Sequence, residues 1–413
     1  MLDFRPPKDT PFLIWLAKVL LPLHLQVELK GTTVEVAGDG LDRFKKLSGK
    51  RTIICPNHSN RNDPDAIFSL AKMAGEEFNF LAAREVFDWD NGWNGWRLQH
   101  FGCYSVVRGA ADRESFKTTK NLIVAGKKKV VIFPEGEISR QNDTLMPLET
   151  GVAQMSFWAV EEMQKKKVQD PVFILPVAIK YVYSANIREE LHRSLRALEE
   201  RLNIKWDGSP SLYERLHKIA LNVLSDLEQE YGVKPDPSLS LNERLAALRQ
   251  EVLEQIASYL QVELPKAQGI LGQVRLLRNA LDDQIYDEKD DRSQYQQKLH
   301  EEHAAKIRGF YRDLDRVVNF IAIYEGYLQD HMTQERFAEI VDRFETEVVG
   351  KSSIKGPRLI TLQVGEPIAL LDYYSAYKEN KKAVIQKLTD ELSARISSML
   401  NQMDTSHHAI MVD

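Results

Sequence analysis

Between residues 52 and 180, short β-branched or aromatic runs alternate with helical patterns, and this alternation admits few folds. Strands separated by helix-length segments do not pair as hairpins; they pair in parallel, with the helices crossing over the faces of the sheet. The strands read as 52–55, 78–82, 103–107, 130–133 and 172–179. Between them, helices fall at about 64–75, 113–126 and 150–166, with apolar residues three and four apart, as in Ala66, Leu70 and Met73. From Asn186 to about Lys355 the texture changes to long amphipathic helices such as Leu241-Leu245-Leu248-Val252 and Phe310-Leu314-Val317, without a fixed-period repeat. Strand character then returns at Arg358–Val364, closes at Gly365-Glu366-Pro367, and is followed by a helix from about Tyr374 to Met403. The chain therefore reads as α/β, a mixed sheet with flanking helices interrupted by a large all-helical insertion. Its parts are an N-terminal amphipathic segment 1–29, a domain 30–185 resumed at 356–403, the insertion 186–355 and a tail 404–413.

Composition bounds what such a chain does. With 43% hydrophobic and 28% charged residues in 413, it has ample chain for a core and is neither disordered nor a polytopic membrane protein. The formal net charge is −5 and no basic stripe stands out, so a nucleic-acid partner is not expected. Cys55 and Cys103 lie in apolar runs and read as reduced core thiols, which suits a cytoplasmic setting. The most apolar segment, Phe12 to Leu23, is interrupted by Lys18 and Pro22, well short of the ~20 residues that span a bilayer. No small-residue cleavage site follows it, which disfavours a signal peptide. Two readings stay open: a helix lying in a membrane interface with Trp15 at headgroup level, or a helix packed on its own core. Trp89, Trp93 and Trp96 pose the same choice between a bilayer contact and a loop pinned to the core.

The chemistry-bearing residues cluster at strand ends. Pro56-Asn57-His58-Ser59-Asn60-Arg61-Asn62-Asp63-Pro64 follows the first buried strand, placing His58 at a carboxyl end, where ligand sites of open α/β sheets gather. Asp63 before Pro64 reads as a helix N-cap whose second oxygen is available to fix the tautomer of His58. Val130-Val131-Ile132-Phe133-Pro134-Glu135-Gly136 is a buried strand stopped by a turn that presents a carboxylate beside a permissive glycine. No Gly-x-Ser-x-Gly elbow exists, and Ser59, adjacent to His58, is poorly placed as its partner. His300-Glu301-Glu302-His303 lacks zincin spacing and reads as a solvated helix face, so no metal is expected.

Together, the Asn-His loop with its aspartate and the Phe-Pro-Glu-Gly turn resemble the glycerolipid acyltransferases typified by 1-acylglycerol-3-phosphate O-acyltransferase. Gly102 to Arg108 resembles the family's glycine-to-arginine strand, Leu175-Pro176-Val177 its closing proline strand, and Val364-Gly365-Glu366-Pro367-Ile368 its C-terminal strand. The resemblance covers about 30–185 and 356–403 and implies an acyltransferase-type fold. It implies transfer of a fatty acyl group from acyl-CoA or acyl-carrier protein to a hydroxyl of a glycerolipid or lysophospholipid, as in phospholipid biosynthesis. His58 would be the general base and Asp63 its orienting partner. Asn57, Arg108, Glu135, Gly136, Ser139 and Arg140 would bind substrate. No cofactor beyond the thioester co-substrate is implied, and the place of action would be peripheral, at the inner face of a membrane.

Two positions depart from the family pattern. Ile138 stands where arginine is common two residues after the Gly136 turn, and Glu149 stands where lysine usually precedes a later Thr-Gly. Cation pairing is what holds a desolvated phosphate, so an acceptor with a free phosphomonoester is disfavoured unless Arg140, Arg61 or Lys180 compensates. The same departures leave a rival reading, an interaction protein that binds a protein partner through the helical insertion.

Overall fold

The computed structural model describes residues 4–108, 112–168, 170–236, 238–265, 269–285, 306–307, 309–319 and 332–403. Its contacts divide the chain into two units, one from Phe4–Ala185 with Gly356–His408, the other from Asn186–Lys355. The first unit is built on an eight-stranded sheet: β1 (Thr33–Val36), β2 (Arg51–Pro56), β3 (Phe78–Ala83), β4 (Cys103–Val106), β5 (Lys129–Val131), β6 (Val172–Tyr183), β7 (Arg358–Val364) and β8 (Ile368–Ala369). The spatial order is β1-β7-β6-β2-β5-β3-β4, with β8 also on β6. Strands β2 to β6 are mutually parallel, while β7 and β8 run antiparallel to β6. The fold class is the mixed α/β sheet with flanking helices that the sequence predicts.

Continuous apolar runs make the central strands because both faces of the sheet are covered. Ile54, Leu175, Val177 and Val131 pack on one side with Ala66, Ile67 and Leu70 of α3 (Asp63–Ala74). Ile53, Cys55, Val130 and Ile174 pack on the other with Ile123 of α5 (Arg113–Ala125) and Val152 and Phe157 of α6 (Gly151–Lys165). Helix α3 thus leaves β2 on one face, and α6 leads from β5 to β6 on the opposite face. Since β2 and β5 are neighbours, their carboxyl ends flank a crevice at a topological switch point, the place where α/β sheets bind ligands.

Pro176 sits in the middle of β6, where a proline would ordinarily break the ladder. It is tolerated because β7 ends opposite Val177 and β8 begins opposite Ile174, so no amide donor is demanded at the break. Gly365 fills that break, donating its N–H to the Pro176 carbonyl at 3.0 Å. The sequence misses β1 and β8 and ends β6 at 179 rather than Tyr183. The single helix expected over 374–403 is instead two, Leu371–Glu379 and Lys381–Gln402, because Asn380 leaves helical geometry (φ −145°, ψ 88°) and caps the second through Ala383 N–H.

Helix α1 (Pro11–Val27) buries Ile14 and Leu21 but exposes Phe12, Trp15, Val19, Leu20, Leu23 and Val27. One face packs on the core, as one of the two readings of the sequence expects, and the other presents apolar side chains outward. Among the described residues no helix is long and apolar enough to cross a membrane. After the short α2 (Gly40–Lys45) and α4 (Trp93–His100), the second unit is helical. It contains α7 (Arg188–Arg201), α8 (Leu212–Tyr231), α9 (Leu241–Leu260), α10 (Gly269–Ile285) and a further helix Gln334–Val349. Helices α8 and α9 each start with a capping box, Ser211 with Glu214 and Ser240 with Glu243. Buried Arg215–Glu199 and Arg244–Glu228 pairs tie neighbouring helices. Residues 300–303 and 404–413 lie outside the described residues.

A Cβ on Gly365 would stand 2.9 Å from the Pro176 ring and 3.1 Å from Met399 Sδ. Gly365→Ala is expected to destabilise the sheet unit by about 1–3 kcal/mol, read as a lowered urea midpoint; an unchanged midpoint would show that the β7–β8 break is soft.

Candidate active site

The loop after β2 is fastened to the strands and turn beside it by hydrogen bonds. Asn57 is fully buried, and its side chain accepts from Ile179 N–H at 2.7 Å and donates to the Ile179 carbonyl at 3.1 Å. Its amide thereby extends the β2–β6 pairing by one step. Both ends of the amide, the expected substrate contact, are engaged by the sheet. His58 N–H donates to Glu135 Oε1, and the His58 carbonyl accepts from Ser139 N–H at 2.7 Å. Ser139 is buried and serves the loop through its backbone, its hydroxyl accepting from Gln141 N–H at 3.2 Å.

The imidazole of His58 is held on an edge and a face. Nδ1 lies 2.9 Å from Asp63 Oδ2, and the ring stacks on Phe133 at 4.2 Å between centroids. A ring nitrogen facing a carboxylate carries the proton, which leaves the lone pair on Nε2. The side chain is 16% exposed, so the ring is largely but not wholly enclosed.

Asp63 is fully buried and is not the N-cap that its place before Pro64 suggests. Asn62 occupies the cap position, without a side-chain cap hydrogen bond, and Asp63 lies in the first turn of α3. Its Oδ2 accepts from His58 Nδ1–H and from Asn60 N–H at 2.8 Å, and its Oδ1 accepts from the Tyr181 hydroxyl at 2.7 Å. Burial and the Asp63 charge hold the Tyr181 phenol far above its ordinary range, so it remains a donor. The Arg358 guanidinium lies 4.9 Å from the Tyr181 ring centroid, with Nη2 3.4 Å from Asn62 Oδ1. Sequence reading misses Tyr181 and Arg358. The signal for Tyr181 was the apolar alternation of β6, which continues two residues past 179 on the α3 face.

Each residue of the Phe133–Gly136 turn positions something. Phe133 stacks on His58, the Pro134 carbonyl accepts from Glu149 N–H at 2.8 Å, and Glu135 accepts from His58 N–H and, at 3.0 Å, from Met146 N–H. Gly136 adopts φ +71°, which a side chain rarely permits. Its carbonyl accepts from Arg108 Nη1 at 2.9 Å. Arg108 also pairs with Glu137 at 2.6 Å and with Glu85. Burial alone would lower its pKa, but these two carboxylates raise it above the ordinary arginine value. Arg108 therefore braces the turn against β4 with its charge balanced. Lys180 is buried and paired with Asp143 at 3.0 Å, Arg61 is exposed, and Arg140 adopts φ +53°. Ile138 is half-buried and Glu149 exposed.

Trp93 and Trp96 stack at 4.8 Å with both rings exposed, as is Trp89. The tryptophans are thus not what pins their loop; Phe87 is buried, and Gly95 lies against its carbonyl so closely that a Cβ would stand 2.2 Å away. Thr10 Oγ1 lies 2.6 Å from His100 Nδ1, tying the start of α1 to the end of α4. Cys55 and Cys103 are buried with free thiols, their pKa values raised by that burial. Among the described residues no cluster of His, Cys, Asp and Glu is arranged to hold a metal ion.

A half-buried histidine thus stands against a fully buried carboxylate at the carboxyl end of the sheet. Residues 34–180 match the acyltransferase family model. The segment runs from β1 into β6, so it includes the His58 loop and the Glu135 turn and stops one residue before Tyr181. The chain thus carries an acyltransferase domain over those residues. A comparison with curated proteins yields no match.

Burial raises the pKa of Glu135 to about 7 from an ordinary 4.5, against the opposing pull of the His58 and Met146 N–H donors. A carboxyl whose folded pKa is raised stabilises the fold fully below about pH 4.5 and loses that contribution as pH rises through about 7. Glu135→Gln is therefore expected to gain stability relative to wild type between pH 5 and 7.5 in paired urea titrations. A difference that does not change with pH would assign the Glu135 carboxyl no such linkage.

Proposed function

We propose that this chain is an O-acyltransferase that moves a fatty acyl group from an acyl thioester, acyl-CoA or acyl-carrier protein, to a hydroxyl of a lysophospholipid or related glycerolipid. The observation that carries the reading is the His58–Asp63 pair, 2.9 Å apart, inside the matched acyltransferase segment and at the switch-point crevice. A thioester is already activated, whereas an alcohol is a poor nucleophile until a base takes its proton. In this reading the acceptor hydroxyl donates to His58 Nε2 and its oxygen attacks the thioester carbonyl as the proton moves to the ring. Asp63 stabilises the imidazolium that forms. Collapse of the tetrahedral intermediate breaks the C–S bond, the thiolate takes the proton from Nε2, and an ester and a free thiol remain. No acyl-enzyme is needed.

Charge around the turn bears on the acceptor. Arg108 is balanced by Glu85 and Glu137, Lys180 by Asp143, and Glu149 and Ile138 stand where cations are common in the family. This supports an acceptor whose phosphate is masked as a diester, over one with a dianionic phosphomonoester. Such an acceptor resides in a bilayer, and the outward apolar face of α1 with the stacked Trp93–Trp96 pair suits peripheral contact with one, its aromatic rings at headgroup depth.

Purified protein should transfer radiolabelled palmitate from palmitoyl-CoA to one class of lysolipid presented in vesicles, and His58→Ala should lower turnover at least ~10²-fold with the fold intact. Equal activity in His58→Ala would end the mechanism. Absence of product with either thioester donor and every acceptor would instead favour the interaction-protein reading. Glu149→Lys should raise the use of lysophosphatidic acid relative to other lysolipids; an unchanged preference would remove Glu149 from acceptor choice.

A further inference from the structure

The acyltransferase segment ends at residue 180, yet the buried oxygen of Asp63 that does not face His58 is satisfied from beyond it. Tyr181 supplies the hydroxyl at 2.7 Å, and Arg358, carried by the strand after the helical unit, covers the Tyr181 ring at 4.9 Å. The two are cross-strand diagonal neighbours, since Tyr181 faces Ile360 and Tyr183 faces Arg358 in the β6–β7 register. Arg358 forms no ion pair with a carboxylate among the described residues, and its Nε–H is buried without a partner, so its charge is left facing the Tyr181 ring.

We propose that Tyr181 and Arg358 are positioning residues that set how much of the Asp63 charge is offered to His58. The inference rests on the acyltransferase reading above. The physical argument is charge sharing along a hydrogen-bonded chain. A carboxylate that accepts from a phenol on one oxygen offers less negative charge to an imidazolium on the other, and a guanidinium over the phenol ring strengthens that phenol as a donor. The pair thereby keeps the imidazole unprotonated, and competent as a base, to lower pH than Asp63 alone would. The charged and titratable groups facing this chain are Asp65 of α3, Glu135 after β5, and Asp63, Tyr181 and Arg358 themselves. Asp65 and Glu135 are unchanged in the comparison below.

The test is the pH–rate profile of kcat/KM for wild type, Tyr181→Phe, Arg358→Gln, Arg358→Lys, the Tyr181→Phe/Arg358→Gln double variant and His58→Ala. Tyr181→Phe should shift the acid limb to higher pH by about half a unit to one unit, leaving the alkaline plateau within about threefold of wild type and KM within about twofold. Arg358→Gln should shift it in the same direction by less, and Arg358→Lys should restore most of the wild-type profile. Because Arg358 acts through the Tyr181 hydroxyl, Arg358→Gln should add no further shift in the Tyr181→Phe background. If Tyr181→Phe fails to fold, the Arg358→Gln and Arg358→Lys pair carries the test: a shift in the first that the second reverses supports the inference. An acid limb that stays in place in the folded variants, or shifts that simply add in the double variant, would overturn it while His58→Ala remains inactive. Activity in His58→Ala would overturn the acyltransferase mechanism itself, and so is separable from failure of the relay.

Discussion

The geometry of the site depends on keeping one carboxylate charged in the interior. Asp63 is fully buried, and an unpaired carboxylate there would carry a desolvation cost of several kcal/mol. Three donors answer it, from a ring (His58), a backbone amide (Asn60) and a phenol (Tyr181). Two come from the loop after β2 and one from β6, so satisfying Asp63 fixes that loop, the first turn of α3 and the far half of β6 relative to one another. A second buried carboxyl, Glu135, takes the His58 and Met146 amides and draws the turn after β5 to the same loop. His58 is held by its neighbours' need for hydrogen bonds more than by packing alone.

How far this is legible in the sequence follows from the type of interaction. The central strands show because burial on both faces demands unbroken apolar runs such as Thr52-Ile53-Ile54-Cys55. β1 does not show, since Thr33-Val34-Glu35-Val36 is an edge strand with no fully buried residue, and its pairing is supplied by a strand more than three hundred residues away. The spacing of five between His58 and Asp63 is readable as a pair. The use Asp63 makes of its other oxygen is not, because local rules assign an aspartate before proline to the helix cap, whereas the cap position belongs to Asn62. The donor that takes its place arrives from across the sheet. Asn57 and Ser139 look like ligand contacts in sequence for the same reason. Polar residues at strand ends serve a ligand or the backbone, and the backbone partners, Ile179 on β6 and the His58 carbonyl, come from other stretches of chain that local sequence does not show.

Electrostatics at the crevice favours neutrality over attraction. Arg108, the arginine that the family resemblance assigns to phosphate, is flanked by Glu85 and Glu137 and hydrogen-bonded to Gly136. A ligand phosphate would have to displace at least one of those carboxylates, and what it gained from the guanidinium would be offset by leaving a carboxylate without its partner. The arrangement also braces the Gly136 turn, giving it a fixed position from which Phe133 can stack on the imidazole.

The place where the helical unit joins the sheet unit has a physical logic of its own. β6 and β7 are antiparallel, with Tyr183 opposite Arg358, so the chain leaves the sheet and re-enters it at adjacent positions. Closing a long excursion between two ends already side by side costs entropy that grows only with the logarithm of its length, and such a junction accepts a folded unit without strain in the sheet. The same pairing is what brings Arg358 onto the ring of Tyr181. An ordinary hairpin would supply the register with a few residues, whereas here the register has to be recovered after the whole of Asn186–Lys355. The Gly365 contact to Pro176 at one end and the Arg358 contact to the Tyr181 ring at the other hold it from the sheet side. A single slip in the β6–β7 pairing would move Arg358 to the opposite face of the sheet. The register of the strand that follows the helical unit and the charge environment of the His58–Asp63 pair are therefore one constraint.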